Sequence, residues 1–247
     1  MCSGARGLAD HHYDRVFELF DREGNPNGFI DIIDYDGIRL YDKIQQHLRR
    51  QIVIDTIDDL AENSCFEETA YLLLYGDLPN SQQLSKFDML LKSSRAIPAE
   101  ILEVLNIVKR SHPMDALRTA ISASSSLEEN VEDISLESTL LKGVKLTAMA
   151  PTIVASHYRL SIGKDPISPR DDLSHAANFL YMLSGDVPDP DDAALIDKDF
   201  VLHAEHGINA SSFAARIAAS TKADIHCAVT AGIAVLKGPS HGGAAEG

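Results

Sequence analysis

Ser64-Cys-Phe-Glu-Glu-Thr-Ala-Tyr-Leu-Leu-Leu-Tyr-Gly-Asp-Leu-Pro79 is the stretch whose reading decides the fold class. Ser64 and Glu67 have the spacing of a capping box, and Phe66, Ala70, Tyr71 and Leu74 repeat with the helical period. Gly76 followed by Pro79 supplies the stop. A helix marked at both ends, with one apolar face, has to bury that face against a neighbour. Downstream, Ser81 can cap a run with Leu84, Phe87 and Leu91 on one face. Pro98 opens another with Ile101, Leu102, Leu105 and Val108, and Pro113 a third with Met114, Leu117 and Ile121. After a polar loop near Ser124 to Asp133 comes a long apolar stretch, Leu136 to Leu160, where Pro151 predicts a kink. Asp171 to Leu183 reads as a helix ended by Gly185, and Val187 to Pro190 as a loop. Leu195 to His203, Ser211 to Ser220 and Asp224 to Leu236 are three more helical patterns. The last two are rich in alanine, and such small faces suit close packing within a domain or across a dimer. Antiparallel helices joined by short loops make this an all-α chain.

Upstream the pattern changes to Asp- and Gly-rich punctuation with short β-prone runs at Phe29 to Ile33 and Ile52 to Ile57. The expectation is a small irregular N-terminal appendage, residues 1–50, on a helical body, residues 51–247. Within the appendage, Asp21 to Asp34 has the oxygen-bearing residues and the Gly28-Phe-Ile30 step of a calcium-binding EF-hand loop. It is two residues longer than that loop, contains Pro26 and ends in Asp34 rather than a bidentate Glu. It therefore reads as a degenerate, acidic turn, and whether it binds calcium stays open.

Composition bounds the function. Lys and Arg total 22 against 37 Asp and Glu, a net charge of -15 over 247 residues, which repels phosphate backbones and anionic lipid. Neither nucleic acid nor a membrane is an expected partner. Cys2, Cys65 and Cys227 are far apart and form no CxxC pair, so no disulfide framework is supported. No apolar run reaches membrane-span length, and the acidic residues Asp10, Asp14 and Glu18 lie within the first 20 positions. The composition points to a cytoplasmic protein and leaves a mitochondrial one open.

Two clusters could carry chemistry. In His203-Ala-Glu-His206-Gly-Ile-Asn209-Ala-Ser211, a spacing of three puts both histidines on one face near the start of the next helix. Two imidazoles beside a helix N-terminus make an anion site, the local positive potential that an acidic chain otherwise lacks. Alternatives are zinc, with a distant His226 or Cys227 as further ligand, or two histidines that hold a loop by hydrogen bonds. In Lys237-Gly-Pro-Ser-His241-Gly-Gly-Ala244, glycines around one histidine free amide donors and allow close backbone approach to a ligand; the competing reading is a flexible tail.

Taken in order, these clusters resemble the citrate synthase family. The resemblance extends over Phe66 to Pro79, His112-Pro-Met-Asp-Ala-Leu-Arg118, Ala177-Asn-Phe-Leu-Tyr-Met-Leu183, His203 to Ala215 and Lys237 to Glu246. It implies the helical large-domain fold of that family and an obligate homodimer. The implied activity is an acyltransferase that condenses acetyl-CoA with oxaloacetate to give citrate and CoA. No metal and no cofactor beyond acetyl-CoA as co-substrate are implied.

Residue by residue, His206 looks like the family's oxaloacetate-binding histidine, with His203 and Asn209 in its immediate shell. His241 looks like the histidine that stabilises the enol of acetyl-CoA; His241 and His206 are thus the implied catalytic pair. Removing a proton alpha to a thioester needs a carboxylate base and a neutral donor at the carbonyl oxygen, while another donor polarises the ketone. The family's aspartate base and its second ketone-polarising histidine lie downstream of the segment matching His241, in a smaller domain that this chain is expected to lack. This stretch alone is therefore expected to have no appreciable synthase activity. The alternative is a truncated, non-catalytic relative acting as a helical dimerisation or anion-binding protein. Leu48-Arg-Arg-Gln-Ile52 stands where the family usually has a Tyr-Arg-Gly step, and Ala245 where Asn is common. The choice between citrate and methylcitrate synthesis, the acyl-CoA preference, and whether the chain is a fragment, a degenerate product or half of a split enzyme are left open.

Overall fold

A computed structural model describes residues 57–205, 207 and 209–245. The appendage, its EF-hand-like loop, the boundary near residue 50 and the β-prone run at Phe29 to Ile33 lie outside the described residues. Of the run Ile52 to Ile57 only Ile57 is described, and it opens a helix.

Among the described residues there are ten α-helices and no strand: α1 (Ile57–Asn63), α2 (Phe66–Tyr75), α3 (Ser81–Ser93), α4 (Ala99–Ile107), α5 (Pro113–Ser124), α6 (Leu136–Ser161), α7 (His175–Ser184), α8 (Pro190–His203), α9 (Ala210–Ser220) and α10 (Ile225–Leu236). Short 3-10 turns follow α5 at Ser125–Leu127 and α10 at Gly242–Ala245. Glycine stops are where the sequence places them: Gly76 and Gly185 take left-handed backbone at the ends of α2 and α7. Pro113 sits in the first turn of α5, where its missing N–H costs nothing.

The long α6 is the spine. Its Leu146 and Ile153 join Ile101 and Leu105 of α4 and Ala116, Ala120 and Ile121 of α5 in one core cluster. Val144 and Ala148 join Ala70, Phe87 and Leu91 of α2 and α3 in another. Ile225, Val229 and Ile233 of α10 pack on the first cluster, and α9 packs on α10. α6 continues as helix through Pro151, which has no N–H to give to the Thr147 carbonyl.

Several helix starts differ from the expected ones, each for a tertiary reason. Cys65, not Ser64, precedes α2, and no side chain of its own caps that helix. Ser64 Oγ instead donates to Glu68 Oε2 at 2.8 Å, while Glu67 accepts the His175 backbone N–H at 2.8 Å from 108 residues away. α3 is capped by Asn80, in a capping box with Gln83, so Ser81 is its first residue and not its cap. α7 begins at His175 rather than near Asp171 because Arg95 Nη1 donates to the Arg170 and Leu173 carbonyls at 2.8 and 2.9 Å. Ser174 then caps the helix. α8 begins at Pro190, capped by Asp189, which takes the helix back into the expected loop.

The starts of α2 and α7 meet in a buried polar junction. The Phe66 amide donates to Asp197 Oδ1 of α8 at 3.2 Å, and Glu67 caps α7. The Phe66 ring stacks on His175, 4.6 Å between centroids, and Phe200 closes edge-on. Burial, with the Arg95 charge adding, pulls the His175 pKa down to about 4.

A pH dependence follows. The unfolded ring takes up a proton near its usual 6.5 and the folded ring near 4, so between these values the unfolded chain binds more protons. Stability is whole above pH 6.5 and falls on acidification toward pH 4, by on the order of 3 kcal/mol for this one ring. Urea midpoints at pH 7 and pH 4.5 should separate widely for the native chain and less for His175→Phe, which keeps the stack but cannot titrate. Equal separations would show that His175 is not the group responsible.

Candidate functional site

The two histidine clusters meet at the start of α9. Asn209 caps this helix: its Oδ1 accepts the Ser212 N–H at 2.9 Å while Ser212 Oγ accepts the Asn209 N–H at 3.1 Å. Ser211 Oγ donates to the same Asn209 Oδ1 at 2.7 Å, and His241 Nε2 lies 2.9 Å from Ser211 Oγ. The atom facing the Ser212 amide has to be an oxygen, so Ser211 gives its one hydrogen to Asn209. Its oxygen is then left to accept from His241 Nε2–H. In this arrangement a neutral His241 carries its proton on Nε2 and presents a lone pair at Nδ1.

The loop that brings His241 there folds back over the end of α10. The His241 and Gly243 amides donate to the Gly238 carbonyl at 2.9 and 3.2 Å, and the Ala244 amide to the His241 carbonyl at 3.1 Å. A Cβ on Gly242 would lie 2.6 Å from the Leu236 carbonyl oxygen, and one on Gly243 2.8 Å from that of Lys237. The glycines of this motif are thus used against the chain's own helix end, a role distinct from both the ligand approach and the tail expected of them.

The remaining candidates are placed differently. His203 is exposed in the last turn of α8, its Nδ1 turned back to the Asp199 carbonyl at 2.8 Å and within 3.2 Å of Asp199 Oδ1. His206 lies outside the described residues. Glu205 folds onto the Gly207 amide, so a carboxylate already uses one of the loop's donors. His226 is buried at the start of α10, with Nδ1 3.3 Å from Asp224 Oδ1, and Cys227 Sγ donates to Asp224 Oδ2 at 3.1 Å. Among the described residues no three His, Cys, Asp or Glu side chains converge as metal ligands. Two surface hollows, of about 380 and 360 Å³, are lined by none of these residues. Sequence reasoning missed Ser211 as the partner of His241; its place two residues after the capping Asn209 is the signal that could have found it.

The described residues thus form an all-α domain in which a glycine-bounded histidine docks on a helix N-terminus. The family model for "Citrate synthase, C-terminal domain" matches residues 54–247. A citrate synthase of Deinococcus radiodurans is 44% identical over 191 residues, which cover 77% of this chain and 51% of the relative. Among solved structures, citrate synthase from Pyrobaculum aerophilum superposes with a TM-score of 0.74 at 43% identity, covering 77% of this chain and 50% of that one. The citrate synthase of Thermoplasma acidophilum, solved as a ternary complex with carboxymethyl coenzyme A and oxaloacetate, superposes with a TM-score of 0.73 at 26% identity, over 77% and 50%. The chain belongs to the citrate synthase family, a family of acyltransferases. It spans about half the length of the relatives it matches.

Asn209 carries two duties here, as cap of α9 and as acceptor for Ser211. Asn209→Ala should lower stability by about 1 kcal/mol, seen as a melting temperature about 2–4 °C lower. Asn209→Asp, which keeps a cap acceptor, should lose less. An alanine variant that melts with the native chain would show that the cap contributes nothing.

Proposed function

We propose that this chain supplies the oxaloacetate-binding half of a citrate synthase-type site and the histidine that hydrogen-bonds the acetyl-CoA thioester. The observation that carries the reading is the fastening of His241 through Ser211 to Asn209 at the start of α9. That contact brings the last of the family-like motifs onto the segment that holds the anion-binding one. Oxaloacetate and acetyl-CoA are the proposed ligands, in keeping with the oxaloacetate and the carboxymethyl coenzyme A of the Thermoplasma complex.

In this reading His206 donates to the ketone of oxaloacetate, with His203 and Asn209 at the same loop. His241 donates to the thioester oxygen as negative charge develops there. Donation to that oxygen uses Nδ1, so the ring takes the other tautomer: the Nε2 proton is lost to water, one is gained from water at Nδ1, and the Ser211 hydroxyl turns to donate its hydrogen bond to Nε2. No residue of the chain is assigned the abstraction of the α-proton. A free thiol at Cys65, pushed up to about 11 by burial, is no nucleophile in this scheme. Acidic composition and free cysteines fit a cytoplasmic setting.

A homodimer is proposed through α9 and α10. α9 has no buried residue of its own, and Phe213 and Ile217, one turn apart, are exposed on it.

Titration calorimetry of the chain with oxaloacetate tests the site. Binding is expected, weakened at least about tenfold in His206→Ala, since a hydrogen bond to a charged or strongly polar ligand contributes roughly 1.5–3 kcal/mol. Native and variant chains that bind alike, or not at all, would remove the reading. Sedimentation should show a dimer for the native chain and a monomer for Phe213→Asp; a monomeric native chain would end the dimer proposal.

A further inference from the structure

The motif His112 to Arg118 is family-like, yet none of its side chains has a part in the reading above. Asp115, in the first turn of α5, reaches the end of α10. Its Oδ2 accepts from Lys237 Nζ at 2.6 Å, and its Oδ1 pairs with Arg118 Nη2 at 3.0 Å on its own helix. Lys237 is the residue that follows α10 and the first of the stretch that carries His241.

The His241 loop is therefore held at three places. Gly242 and Gly243 press it on the carbonyls that end α10, and the His241 ring ties it to Ser211 of α9. Both of those anchors belong to the α9–α10 pair. Asp115 alone of the three ties the loop to α5, whose Ala116, Ala120 and Ile121 are embedded in the core around α6. We propose that Asp115 is a positioning residue that acts through Lys237 to set the base of the loop, and with it the height of the His241 ring over Ser211.

The carboxylate is well suited to this. Arg118 holds one oxygen and so aims the other at Lys237. The Lys237 hydrogen bond holds the Asp115 carboxyl below the usual carboxylate range, against partial burial, with the charges of Lys237, Arg118 and His112 adding to the effect. The side chains of Lys237 and Asp115 are 37% and 26% exposed, so the pair contributes little to global stability. What its removal changes is local. This inference builds on the proposed role of His241, but it concerns the ring's placement and not ligand binding.

The test is the nitrogen-15 spectrum of the histidine rings in the full chain without substrate, with His241→Gln to assign the signal. The native His241 is expected to show the Nε2-protonated pattern. Asp115→Asn and Lys237→Met should both move its two ring nitrogens toward the averaged values of a free imidazole. The other histidine signals should stay put, and the melting temperature should stay within about 2 °C. Lys237→Arg should restore the native pattern. An unchanged His241 signal in both variants would overturn the proposal. So would collapse of the fold in both, because the contact would then be a general prop. Failure of oxaloacetate to bind would sink the functional reading and leave this spectrum to be judged by itself.

Discussion

The buried carboxylate of Glu67 at the start of α7 is the contact on which the helix layout depends. A helix start leaves amides without intrahelical partners, and in a buried place water cannot serve them. Here the partners come from other helices: Asp197 of α8 serves the start of α2, and Glu67 of α2 serves the start of α7. The start of α2 is thereby fixed to the middle of α8, 131 residues away in sequence, and the start of α7 to α2, 108 residues away. Arg95 completes the junction. It is 1% exposed, its Nη1 occupied by two carbonyls of the turn before α7, while its Nε and Nη2 have no hydrogen-bond partner among the described residues. Burial lowers the guanidinium's affinity for its proton, and the nearby charges of Glu67, Asp88 and Asp171 work the other way. Breaking one member of such a set strands the others out of water, which costs more than the set contributes when whole.

The second constraint is that α6 buries two faces. Its residues alternate between a core shared with α4 and α5 and one shared with α2 and α3, so the long helix cannot shift without disturbing both. The candidate site hangs from one side of this spine. α10 packs on the α5 side of the spine, α9 rides on α10, and among the described residues no residue of α9 is buried. The close approach is made at Gly232, where a Cβ would lie 3.4 Å from the Ser211 carbonyl oxygen and 3.6 Å from Ala215 Cβ. A Cβ there would be in ordinary van der Waals contact with α9, so the two helices lie close at the turn that carries Ser211.

This division explains what could be read in the sequence. Apolar periodicity, the stops at Gly76 and Gly185 and the proline at the head of α5 are local, and helices follow where they predict. The start of α7 depends on Arg95, 75 residues upstream of Arg170, and no periodicity carries that information. The Ser64 capping box fails because Glu67 is recruited elsewhere, a tertiary contact winning over a local one. At the site, His241 stands out by composition, since glycines flank a lone imidazole. Its partner Ser211 lies 30 residues away, and the Asp115–Lys237 contact joins residues 122 apart. Residue types suggest chemistry; only the packing of α9, α10 and α5 says which of them touch.

The hydrogen-bond arrangement at His241 limits what the ring can do. Ser211 has one hydrogen and two acceptors within reach, Asn209 Oδ1 and His241 Nε2. While Asn209 takes it, a neutral His241 has no proton at Nδ1 and accepts there. When Nε2 takes it, Nδ1 becomes a donor, and Asn209 Oδ1 still holds the Ser212 N–H, so the helix cap survives the exchange. The two states differ by one neutral hydrogen bond, worth about 1 kcal/mol. In the proposed function, a thioester carbonyl oxygen arriving at Nδ1 would replace that bond and select the donor form. On that reading the Nδ1-protonated tautomer is the one that presents a neutral donor. That is the property required of a group facing a thioester enolate, since an imidazolium would give up its proton instead of sharing it.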